Sequence, residues 1–148
     1  MSRARALLLD THIWIWFVEG QGDELSPACI REIEDARFAA GVFVSAISVR
    51  EAAYAAAHGR LRLSRPFQTW MAAALEPLRL MPLPLDAATA ALSSHLPGEL
   101  HRDPVDQMIV ATAMVHGLTL VTRDRRILDH ARAGHLHVLD GMASRFRR

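Results

Sequence analysis

The stretch HRDPVDQMIVATAMVHGLTLVTRD, residues 101–124, contains a helix, a strand and the opening of a second helix. Asp103-Pro104 reads as an N-cap followed by a first-turn proline. The apolar positions that follow run with helical spacing to His116, where Gly117 stops them. Thr119-Leu120-Val121 then forms a short run with no polar alternation, and Asp124 is placed to cap the next helix. A strand apolar on both sides and set between two helices belongs in a parallel sheet with both faces covered.

The rest of the chain repeats this grammar. Strand-like runs occupy 6–9, 42–44, 80–83, 119–121 and 136–139. Helical patterns lie between them, at about 29–40, 48–58, 66–75, 86–95, 103–116 and 124–134. Ser26-Pro27 opens the first of these and Gly41 follows it; Ser48 is read as the N-cap of the second. The expected fold is α/β, a single domain over 1–148 with a mainly parallel sheet of about four or five strands and helices on both faces. The Arg-rich tail at about 143–148 is expected to be a frayed end.

Composition removes several chemistries. All 17 basic residues are arginine, so the chain has no lysine. A Walker-type P-loop, a Schiff-base enzyme, a protein kinase and a phosphoacceptor receiver domain each need one. Cys29 is alone, which excludes an internal disulfide and a cysteine-rich zinc site; a buried, inert thiol is expected. The apolar run that starts at Ala6 is cut by Asp10 after four residues, too short for a secretory signal. No run approaches the roughly 18 apolar residues of a membrane span, so a cytoplasmic location without membrane contact is expected.

The acidic residues are the informative ones. Asp10 directly follows the first strand, Glu51 falls in the first turn of the helix after the second, and Asp124 follows the fourth. In open parallel sheets, sites form outside the carboxyl ends of the strands. Asp106 joins the other three if its helix starts at the same edge. Each also has a purely structural reading. Ser48-x-x-Glu51 matches a capping box, Asp103 and Asp106 suit a helix start, and Asp124 suits a cap. Asp10 has no evident cap to make, and an unpaired acid after a buried strand is costly. Four converging carboxylates repel one another unless a cation joins them. Oxygen-only donors select Mg²⁺ or Mn²⁺ over Zn²⁺. Such a centre suits metal-assisted hydrolysis of a phosphodiester.

Three stretches in this order and spacing resemble the PIN-domain ribonucleases, in particular the VapC-type toxins of bacterial toxin–antitoxin pairs. They are LLLDTHIWIW at 7–16, SAISVREAAYAAAHGRL at 45–61 and HRDPVDQMIVATAMVHGLTLVTRD at 101–124. The resemblance implies a metal-dependent endoribonuclease in which Asp10, Glu51, Asp106 and Asp124 are the catalytic carboxylates. Asp10 and Asp106 would be the primary ligands of Mg²⁺ or Mn²⁺, and Glu51 and Asp124 would act directly or through water. Asp103 would be an accessory acid and Thr122 a supporting hydroxyl beside the metal. Gln107 stands where the related subgroup often has arginine, which puts in doubt any role carried by that arginine. An antitoxin of the VapB type and a homodimer are the implied partners, besides the RNA substrate.

Other residues are weaker candidates. Arg50, Arg102 and Arg123 flank the acids, with Arg125 and Arg126, and could contact RNA phosphates. Trp14, Trp16, Phe17 and Trp70 lie at helical spacing and read as core; the alternative is a partner-facing groove, for which Trp70 is the first candidate. His12 sits beside Asp10 and could meet substrate. Two other readings remain open: a PIN-domain nuclease of RNA processing, and a catalytically idle domain that binds a partner. An aspartyl phosphatase would want a second aspartate where Asp10-Thr11-His12 has histidine.

Overall fold

The computed structural model describes residues 4–20, 23–98 and 100–143. The arginine-rich end expected to fray lies outside the described residues from 144 onward. In chain order the elements are β1 (Leu7–Leu9), α1 (Thr11–Glu19), α2 (Pro27–Ala39), β2 (Val42–Ser45), α3 (Ala46–Ala57) and α4 (Phe67–Ala73). A 3₁₀ turn (Glu76–Leu78) leads into β3 (Leu80–Leu83) and α5 (Ala87–Ser93). Then come α6 (Pro104–His116), β4 (Thr119–Thr122), α7 (Arg125–Ala131) and β5 (Val138–Asp140).

All five strands are parallel, in the order β3-β2-β1-β4-β5. Alternate side chains feed two cores, because successive strand residues point to opposite faces. Leu7, Leu9, Val42, Val44, Val121 and Leu139 pack under α1, α2 and α4. Leu8, Leu120 and Val138 pack under α6 and α7. Leu7, Leu8 and Leu9 are all fully buried, so the uniform apolar run of β1 follows from a sheet with no wet face. α3 spans the seam, with Ala52 in the first core and Ile47 against the second.

The expected boundary signals are largely present. The Ser26 hydroxyl accepts from the Cys29 amide at 3.1 Å, with Pro27 in the first turn of α2. Asp103 caps α6 by accepting from the Val105 and Asp106 amides, and Gly117 ends it at φ +65°. That conformation strongly favours glycine.

Four expectations are corrected. The helix after β2 starts at Ala46, not at 48, because Ser45 at the strand end accepts from the Ile47 amide at 3.2 Å and is the cap. Ser48 therefore lies inside α3, where its buried hydroxyl accepts from Thr11 Oγ1 at 2.9 Å. Glu51 falls in the second turn, and the capping-box reading lapses. Asp10, expected to cap nothing, is the N-cap of α1, its Oδ1 accepting from the Thr11 amide at 2.9 Å. β5 begins at Val138 rather than 136, since the ladder pairs Leu120 with Val138 and Thr122 with Asp140.

The fourth correction concerns Trp70. It is 2% exposed and sits in the first core, its ring 4.9 Å from that of Trp14. The Trp14 indole donates to the Ala74 carbonyl at 2.9 Å, which pins the end of α4 to α1. Trp70 is a packing residue and offers no surface to a partner. Cys29 meets its expectation: burial pushes its thiol up to about 12, so the sulfur stays protonated and unreactive.

Candidate active site

Strand order reverses at β1. From there the chain runs outward to β2 and β3, then returns to place β4 and β5 on the other side. The crevice outside the carboxyl ends of β1 and β4 is the topological switch point, where open α/β sheets form their sites. Asp10 leaves β1 there, and its amide donates to the Val121 carbonyl at 3.0 Å. Thr122 and Asp124 leave β4 beside it. α6 precedes β4 and runs back across the sheet, so its first turn, carrying Asp106, opens at the same edge. α3 follows β2 and brings Glu51.

The result is a cleft of about 710 Å³ whose walls include Asp10, Glu51, Asp103, Asp106 and Asp124, with His12, Trp16, Arg123 and Arg126. All four carboxylates anticipated as catalytic, and the accessory acid Asp103, border this one space.

Thr122 organises its base. The fully buried hydroxyl donates to Asp10 Oδ2 at 2.7 Å and accepts from the Asp124 amide at 3.0 Å. One side chain thus fixes Asp10 and the start of α7 together. Burial nevertheless pushes the Asp10 carboxyl up to about 6. Hydrogen bonds from Thr122 and Thr11 work against that rise, and the neighbouring Asp106 and Glu51 charges add to it. Asp106 is raised as well, chiefly by burial, with Asp103 and Asp124 adding repulsion and His101 opposing it. Thr122→Val keeps the shape of the side chain but removes its hydroxyl. It is expected to push Asp10 higher still and to cost about 1–3 kcal/mol of stability. NMR titration of the Asp10 carboxyl and denaturant unfolding check both effects.

Carboxylates that are held ionised only against burial and mutual repulsion form a site that a cation would relieve. The donors are mostly hard oxygens, which fits Mg²⁺ or Mn²⁺. His101, Asp103 and Asp106 each offer a ligand atom, and these atoms lie within 4.8 Å of one another.

The PIN-domain family model matches residues 7–133, which span β1 to the end of α7 and every acid of the cleft. The chain belongs to the PIN-domain family. It is 40% identical over 126 residues to ribonuclease VapC22 of Mycobacterium tuberculosis, covering 84% of this chain and 91% of that protein. The fold matches the crystal structure of VapBC2 from Rickettsia felis bound to a promoter DNA fragment, with a TM-score of 0.69 at 18% identity, covering 91% of this chain and 98% of that one. It also matches FitAcB from Neisseria gonorrhoeae, with a TM-score of 0.60 at 26% identity, covering 90% and 96%.

Within this PIN domain, the arginines are distributed unevenly. Arg123 lines the cleft, but its guanidinium is engaged by the Glu24 carbonyl at 2.9 Å and carboxylate at 3.4 Å, over the Trp16 ring. Arg50 borders an adjoining cleft and lies over Tyr54. Arg102 is exposed and lines a separate depression with Gln107. Arg126, 3.7 Å from Asp124, is the other cation of the cleft wall.

The site also holds a residue that sequence spacing missed. His101 Nε2 lies 2.5 Å from Asp106 Oδ2, with both side chains mostly buried. Its carbonyl accepts from the Gln107 amide nitrogen at 3.4 Å. Gln107, noted only for replacing an arginine, therefore steadies the loop that brings His101 to Asp106. His101 precedes the helix start, so no helical period links it to Asp106.

Proposed function

We propose that this PIN domain is an endoribonuclease acting as the toxin of a type II, VapBC-like toxin–antitoxin pair. The observation that carries the reading is the gathering of Asp10, Glu51, Asp106 and Asp124 around one cleft at the switch point. The 40% identity to a protein named as a ribonuclease supports it.

Asp10 and Asp106 would hold Mg²⁺ or Mn²⁺, with Glu51 and Asp124 contributing directly or through water. When bound, such a cation lowers the pKa of water and offsets charge on the attacked phosphate. The residues of the chain position the rest. Thr122 orients Asp10, and the His101 ring, bonded to Asp106 Oδ2, restrains that carboxylate in turn. Asp103 and Asp124 cap α6 and α7, aiming both helix N-termini and their partial positive charge at the acids. Arg126 and Arg123 give the wall local positive charge that the near-neutral whole molecule lacks.

No helix among the described residues is long and apolar enough to cross a membrane. A cytoplasmic toxin held by a VapB-like antitoxin, and pairing as a homodimer, fits the reading; several matched structures are named as VapBC complexes.

The purified chain is expected to cleave RNA in Mg²⁺ or Mn²⁺ and to stop in EDTA. RNA ends mapped after brief induction in cells would identify the target. Millimolar Mn²⁺ is also expected to raise the melting temperature, since it binds the folded acids and not the unfolded chain. At a concentration 100 times its dissociation constant the gain is about 2.7 kcal/mol. RNA left intact with metal present would overturn the reading.

A further inference from the structure

Two clefts meet at His12. One holds the carboxylates. The other, of about 360 Å³, is lined by Ile15, Leu61 and Val105 with Tyr54, Arg50 and Arg60. His12 and Glu51 border both. An acidic cleft beside an apolar, arginine-rimmed one suits a single strand whose phosphate and base point in different directions.

The His12 imidazole is exposed at this junction. Beside it stands Trp16, one helical turn along α1, with ring centroids 5.5 Å apart and planes tilted by 44°. Arg123 lies against Trp16 in turn, 5.2 Å from its ring, and Glu24 holds it there. His12, Trp16 and Arg123 thus form a chain of contacts along the cleft wall, with the imidazole exposed to the cleft. Proteins recognise single-stranded RNA by stacking splayed bases on such rings and guanidinium planes.

We propose that His12, with Trp16 beside it, is the stacking platform for the nucleobase next to the cleaved phosphate, and that this base lies in the apolar cleft. The proposal rests on the ribonuclease reading and adds a base-recognition subsite to it. Arg50 and Arg60 at the rim of the second cleft would meet the phosphate beyond that base.

The test is binding of short, labelled single-stranded RNA by fluorescence anisotropy in EDTA, where no cleavage occurs. A parallel set of oligonucleotides carries one abasic position, moved along the strand. His12→Ala is expected to weaken binding at least about fivefold, the low end for one stacked base. His12→Phe is expected to restore it, because a phenyl ring stacks and neither titrates nor ligates. At one abasic position, wild type should lose as much as His12→Ala, and the two losses should not add. Circular dichroism melting verifies that the variants fold.

Several results would overturn the platform alone: unchanged binding in His12→Ala, no rescue in His12→Phe, or additive losses. So would a His12→Ala protein that binds RNA normally but loses a VapB-like peptide, which would make the cleft a protein interface. Wild type that neither binds these RNAs nor cleaves them with Mn²⁺ would overturn the ribonuclease reading as well.

Discussion

Asp10→Asn is expected to abolish RNA cleavage while making the metal-free protein more stable near neutral pH. The two effects have one origin. Asp10 is ionised at neutral pH although burial and the neighbouring acids raise its carboxyl to about 6. A folded-state pKa above the unfolded value of 3.8 means the native state binds the proton more tightly. Native stability contributed by Asp10 is therefore present below about pH 4 and is lost as pH rises through 6. Asparagine carries no charge at any pH, so it escapes that loss, and its side-chain oxygen can still accept from Thr11 or Thr122. The gain at neutral pH is about 1–3 kcal/mol, allowing 1.36 kcal/mol for each pKa unit and some weakening of the hydrogen bonds. It should shrink toward zero as pH falls to 4, which denaturant unfolding in EDTA at several pH values would measure. Cleavage should fall by more than about 100-fold, beyond what the loss of an outer-shell partner costs. The Mn²⁺-dependent rise in melting temperature should shrink with it. An Asp10→Asn protein that retains EDTA-sensitive activity at the wild-type rate would remove Asp10 from the centre.

Trp70→Ala is expected to cost about 3–5 kcal/mol of folding stability in the isolated chain. The side chain is 2% exposed and packed at a tilt against Trp14 in a shared core, so truncation leaves a cavity between α4 and α1. A residue that served only to anchor a partner would leave the free chain unaffected, so denaturant unfolding without any partner separates the roles. Trp70→Phe should be much milder. The Trp70 indole N–H is buried without a hydrogen-bond partner among the described residues, so phenylalanine removes an unsatisfied donor along with some volume. A loss below about 1 kcal/mol in Trp70→Ala would show that the core closes around the gap.

The contrast between these two residues shows what could be read from the sequence. Strand and helix identity was legible where one local rule sufficed: the buried run Leu7-Leu8-Leu9, the Ser26-Pro27 start, the Asp103-Pro104 start, the Gly117 stop. The edge of the sheet to which Asp10, Glu51 and Asp124 belong was legible too, because parallel topology sends successive strand ends to one side. Competition between adjacent residues was harder to judge. Ser45 and Ser48 both suit a cap, and the strand end decides for Ser45. Partners that no helical or strand period links left no local signal at all. The bond from Thr122 to Asp10 joins positions 112 apart, and the contact of His101 with Asp106 crosses from loop to helix. Trp70 left both core and partner surface open, because a tryptophan on a short helix looks the same from sequence whether it faces a second helix or solvent.

The central place of β1 between β2 and β4 has a bearing on synthesis. As the chain leaves the ribosome, β1 can pair with β2, and β2 with β3, early, but the other edge of β1 must wait for residues 119–122. Until then Asp10 lacks the Thr122 hydroxyl, and neither Asp106 nor Asp124 has a sheet edge to gather around. The cleft is completed only when β4 pairs with the open edge of β1. A nascent chain of this kind carries its acids but has no assembled site with which to act on the RNA around it. A PIN domain built in this strand order has no assembled cleft until β4 is in place.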